Sequence, residues 1–121
     1  MSRDWTHCLE EIVESGQRIA SYTHEMSLEE FRSNQLVFDA VVRNLEIIGE
    51  AARHLPAELD AAMPDAAWSR AAAFRDVIAR QYFGLDIQIV WDLAHKKVPQ
   101  LVRSASATLN ERRRGRNTSI S

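Results

Sequence analysis

At 121 residues, 45% of them hydrophobic and with only four glycines and three prolines, the chain has the size and composition of one helix-rich domain with its own core, which excludes a disordered or fibrous polymer. Cys8 is the single cysteine, so neither an intrachain disulfide nor a cysteine-cluster metal site can form, and a reducing cytoplasm is the expected compartment. The net charge of −2 hides an asymmetry that excludes a general nucleic-acid binder with a basic face: residues 1–111 carry eleven basic and seventeen acidic side chains, whereas the last ten residues hold Arg112, Arg113, Arg114 and Arg116 and no acid.

The first helix is predicted from about Arg3 to Thr23, with Trp5, Leu9, Ile12, Ile19 and Ala20 at three-and-four spacing. Gly16 lies in the same stripe and would let a neighbouring helix approach. No basic stretch followed by an apolar run opens the chain, and no segment reaches the roughly 18 apolar residues of a membrane span, so no membrane association is expected.

Ser27-Leu28-Glu29-Glu30 has the pattern of a capping box, which starts a second helix near Leu28. Phe38, Val41, Leu45, Ile48, Ala52 and Leu55 form its stripe, widened by Val37, Ile47 and Ala51, as suits a central helix. Pro56 ends it or opens a short turn, and residues 56–67 suffice for one short helix and a loop.

A third helix is expected from Ala66 to about Phe83, with Gly84 as its stop and Asp86 as the cap of a fourth. The fourth carries Ile87, Val90, Ala94, Val98, Leu101, Ala105 and Thr108, and Pro99 inside it predicts a kink or break near Lys97. No strand pattern or repeat is evident. The expected fold is all-α, a four-helix bundle with short extra turns over residues 1–110, followed by a basic, disordered tail over 111–121.

The chain has no glycine-rich phosphate loop, no nucleophile elbow and no pair of histidines at helical ligand spacing. His7, His24, His54 and His95 are scattered. The informative segment is polar and lies near the end of the third helix, from Phe74 to Asp86. Arg75 and Tyr82 fall two turns apart on nearly one face, and Asp76 and Arg80 one turn apart. On physical grounds alone, Asp76 and Arg80 make an i,i+4 ion pair, Arg75 is solvated and Tyr82 packs with its hydroxyl at the rim.

The segment resembles the HEPN motif in its HepT form: Arg, a polar residue, three further residues, His, any residue, Tyr. Arg75, Asp76 and Tyr82 match in register, and Arg80 stands at the histidine position. The resemblance runs from about Asp4 to Leu109 and takes in Phe38-Asp39-Ala40-Val41, Leu45 to Ala52, Pro64, Trp68, Tyr82 to Asp86, Val90-Trp91 and Pro99.

It implies a homodimer whose motif helices face each other around one RNA phosphate, forming an endoribonuclease that needs no metal or other cofactor. It also implies a bacterial toxin paired with a nucleotidyltransferase antitoxin that adenylylates the motif tyrosine, here Tyr82.

The residue types suit that chemistry. A guanidinium holds phosphate by bidentate hydrogen bonds and stabilises charge developing on its oxygens. A histidine exchanges protons with the ribose 2′-hydroxyl or the leaving oxygen, and the need for that hydroxyl selects RNA. Arg80 stays protonated and cannot serve as a general base, so the chain is expected to be nearly inactive. The alternative is a non-catalytic dimer of the same fold that binds nucleotide or a nucleotidyltransferase. Glu50 is read either as an ion-pair partner of Arg75 or as a solvated carboxylate, and Gly49 as the point of close contact with the motif helix.

Overall fold

A computed structural model describes residues 5–64, 66, 74 and 87–120, and of 116–120 only the backbone. Helix α1 runs from Trp5 to Thr23 and buries Cys8, Leu9, Ile12, Ser15, Gly16, Ile19 and Thr23. Ala20 belongs to the predicted stripe but is exposed. The buried line passes from Ile19 to Thr23 instead, where the Thr23 hydroxyl donates to the Ile19 carbonyl at 2.9 Å and so satisfies itself within the helix. Beyond the helix end, Glu25 takes a φ of 57°, the left-handed conformation usually left to glycine.

The capping box forms as the sequence predicts. The Glu30 amide donates to the Ser27 hydroxyl at 3.1 Å and the Ser27 amide to the Glu30 carboxylate at 2.9 Å. The helix it starts is short, however: α2 spans Leu28–Arg32, and a separate α3 spans Gln35–Arg53. Ser33 and Asn34 divide what the sequence reading takes as one helix. The Ser33 hydroxyl donates to the Glu29 carbonyl at 3.0 Å, and the Asn34 side chain accepts from the Val37 amide at 3.0 Å. Each thus offers the backbone a local partner that competes with helix continuation, and Asn34 becomes the N-cap of α3.

The predicted stripe of α3 is buried throughout: Phe38, Val41, Leu45, Ile48 and Ala52, with Leu55 just beyond the helix. Pro56 precedes a single 3-10 turn over Ala57–Leu59. Ala66 and Phe74 are helical and buried. The remainder of the expected third helix, with Gly84 and Asp86, lies outside the described residues.

The last segment is one continuous helical path, comprising α4 (Ile87–Asp92), a π-helical stretch (Leu93–Lys97) and α5 (Val98–Ile120). The break expected near Lys97 is a widened turn. Proline has no amide to donate and its ring crowds the carbonyl four residues back. The Val98 amide bonds to the Leu93 carbonyl, five residues back, and Pro99 then falls in the first turn of α5, where a missing donor costs least.

Helix α1 packs against both α3 and α5. It runs antiparallel to α5, since Trp5 meets Arg112, Glu10 meets Arg113 and Gly16 meets Val102 and Val98. A Cβ on Gly16 would collide with the Val102 Cγ2 methyl, so glycine sets the spacing of these two helices. Helix α2 is too short to persist alone. It is held by Phe31, which is fully buried with ring centroids 5.6 Å from Phe38 and 5.2 Å from Trp91.

Where the sequence reading places a disordered tail from residue 111, α5 carries on. Arg113 pairs with Glu10 at 3.1 Å and the Arg112 guanidinium lies 4.3 Å from the Trp5 ring centre. Both contacts are exposed, and each contributes only modestly. Among the described residues there is no strand, and no helix is long and apolar enough to cross a membrane.

Candidate functional site

Arg75, Asp76, Arg80 and Tyr82 lie outside the described residues. What the structure does fix is the point where their segment meets the core. Phe74, immediately before Arg75, is 3% exposed and lies against Gly49 of α3. A Cβ built on Gly49 would stand 2.5 Å from Phe74 Cε1 and 3.1 Å from Cδ1. The absence of a side chain at residue 49 is therefore what lets the ring reach the α3 backbone, the close contact that the sequence reading assigns to this glycine. Phe74 is thereby clamped against α3.

One residue beyond Gly49, Glu50 is exposed and commits both carboxylate oxygens to its own helix end. Arg53 Nη1 lies 3.0 Å from Oε2 and His54 Nε2 lies 3.2 Å from Oε1. His54, read as scattered, is thereby part of a local charge cluster at the C-terminal end of α3, where a cation is favoured by the helix dipole. The Arg75 partner that one of the two readings gives Glu50 lies outside the described residues.

Sequence reasoning passed over a second grouping. His95 lies one turn after Trp91, with ring centroids 3.9 Å apart, and its Nδ1 is 2.9 Å from the Trp91 carbonyl. A carbonyl only accepts, so Nδ1 carries the proton and Nε2 is the nitrogen left for other partners. The signal was available as an aromatic pair at i,i+4 spacing.

A groove of about 350 Å³ between α1 and α5, lined by Val13 and Leu109, carries Glu10 and Arg113 paired with each other and Glu14 beside them. Among the described residues no three His, Cys, Asp or Glu side chains gather so as to hold a metal ion.

Comparison with known proteins adds what the described geometry lacks. A family model described as ribonuclease HepT-like matches residues 12–107. A candidate RNase of Methanocaldococcus jannaschii is 32% identical over 103 residues, which cover 85% of each chain. A probable ribonuclease HepT of Thermococcus cleftensis is 34% identical over 101 residues, 84% of this chain and 92% of that one. A gamma-glutamylcyclotransferase and candidate RNase of M. jannaschii is 32% identical over 117 residues, 97% of this chain, which spans only 53% of that longer protein. No solved structure matches the chain.

Proposed function

Since the chain belongs to the HepT-like ribonuclease family, we propose that it is the RNA-cleaving subunit of a toxin and antitoxin pair, working as a homodimer with a composite site and blunted in this chain by Arg80. The observation that carries the reading is the family match over residues 12–107, a range that includes Arg75, Asp76, Arg80 and Tyr82.

In this proposal Arg75 holds the scissile phosphate of RNA and neutralises charge developing on its non-bridging oxygens. Asp76 orients the guanidiniums through an ion pair. Arg80 adds a second phosphate contact where proton transfer would require histidine, since a guanidinium remains charged at any physiological pH. Loss of general acid–base help costs about 10²- to 10⁴-fold. Tyr82 is the site to which a nucleotidyltransferase antitoxin transfers AMP from ATP, its phenolic oxygen displacing pyrophosphate and losing its proton, which places bulk and phosphate charge in the RNA cleft. No metal enters the scheme.

The second reading rests on the same arginine: a non-catalytic dimer of this fold that binds nucleotide or a nucleotidyltransferase through the cleft. RNA cleavage by the protein and by Arg80→His, in EDTA, separates the two. Cleavage that appears or rises about 100-fold or more with histidine, and vanishes when Arg75→Ala is added, supports the nuclease. Intact RNA with both proteins sinks it in favour of the binding reading.

A further inference from the structure

The chain contains two lysines, Lys96 and Lys97, and they are adjacent. Both lie in the π-helical stretch, directly after His95, and all three side chains are exposed between the buried Leu93-Ala94 and Val98. Neither lysine has an acidic partner among the described residues, whereas Arg32, Arg53 and Arg113 are each paired with a glutamate. The acid one turn before Lys96, Asp92, is taken up by Gln88, whose Nε2 donates to it at 3.1 Å. Beside these two ammonium groups, the His95 ring is held against Trp91, its Nδ1 proton committed to a backbone carbonyl and its Nε2 uncommitted.

From this cluster we infer that His95, Lys96 and Lys97 form a contact site for the backbone of single-stranded RNA. The inference rests on the ribonuclease reading for the identity of the polyanion and adds to it where the strand is held outside the motif. The chemistry favours a polyanion over an apolar partner: the two lysines are cationic, stand on a body of net negative charge, and lie beside a stacked imidazole whose Nε2 can accept from a 2′-hydroxyl. The widened turn contributes by directing three successive side chains to solvent without breaking the helix that carries them.

The test is fluorescence anisotropy with a labelled single-stranded RNA carrying 2′-O-methyl groups, which cannot be cleaved by attack of the 2′-hydroxyl, over a range of salt. On a single strand, removing one side chain that neutralises a phosphate lowers the slope of log affinity against log salt by about 0.7, which corresponds to about fivefold in affinity at about 0.1 M salt. Lys96→Ala/Lys97→Ala should therefore bind about 25-fold more weakly, with the slope reduced by about 1.4 for each chain engaged. The control Arg18→Ala/Arg43→Ala removes the same charge from exposed positions on α1 and α3 and should bind like the parent. All four side chains are exposed, and circular dichroism verifies that the variants fold. Equal weakening by both pairs, or none by the lysine pair while the parent protein binds, overturns the inference and leaves the nuclease reading standing. A parent protein that binds no RNA overturns both.

Discussion

Replacing Gly49 by Ala sets two effects of opposite sign against each other. In the interior of an exposed helix the change gains about 1 kcal/mol, because alanine loses less backbone entropy than glycine. At this site the new methyl would stand 2.5 Å from Phe74 Cε1, about 1 Å inside ordinary carbon contact. The ring cannot swing into solvent, since Phe74 is 3% exposed and packed in the core. Overpacking of this kind costs about 1–3 kcal/mol, occasionally more. Set against the gain of about 1 kcal/mol, that cost leaves Gly49→Ala with a net loss of up to about 2 kcal/mol in urea unfolding. Phe74→Leu in the Gly49→Ala background makes room, and the double-mutant cycle should show favourable coupling of at least about 0.5 kcal/mol. A Gly49→Ala protein more stable than the parent by about 1 kcal/mol would refute the contact.

Two further predictions concern the ends of α1 and α2. The Ser27 backbone amide, followed by its hydroxyl, holds the Glu30 carboxyl below its ordinary range. Its pKa is thus lower folded than unfolded, so the stabilisation is present above the unfolded value and is lost as pH falls through the folded one. Ser27→Ala keeps the backbone amide but loses the hydroxyl that accepts from the Glu30 amide, and should cost about 1 kcal/mol near neutrality; a Ser27→Ala protein as stable as the parent in urea would contradict the capping box. Glu25→Gly relieves the left-handed backbone and should raise stability by about 1 kcal/mol, whereas a lower melting temperature would show that glycine's extra freedom in the unfolded chain dominates.

The buried stripes of α1, α3 and the last helix were legible because a 3.6-residue period leaves one face apolar, and Leu9, Phe38 and Leu101 need no tertiary knowledge to be placed inside. Gly16 and Gly49 were legible as close approaches, though not which residue each would meet. The divide at Ser33-Asn34 was missed although both residue types favour helix ends, because the apolar pattern continues across it through Phe31 and Phe38. The ordering of Arg112 and Arg113 depends on Trp5 and Glu10, at the opposite end of the chain, and no local signal carries that. At the candidate site, Arg75, Asp76, Arg80 and Tyr82 could be singled out only through their family resemblance. Taken alone, an arginine, an aspartate and a tyrosine near a helix end are an ordinary solvated face. The pairing of His95 with Trp91 was legible as an aromatic pair at i,i+4 spacing, and it was passed over because His95 was weighed only as a metal ligand or a scattered histidine.

The packing of Phe31 between Phe38 and Trp91 also orders events in time. A five-residue helix has too few internal bonds to outlast its nucleation cost, and Trp91 is made long after Phe31. On the ribosome, α1 and α3 can pair while synthesis continues, but Phe31 of α2 has only Phe38 against it until α4 brings Trp91, and the Gly16 face of α1 stays bare until Val98 and Val102 have emerged. The fold therefore closes from its C-terminal end, and a prematurely terminated chain would lack not one helix but the docking of two.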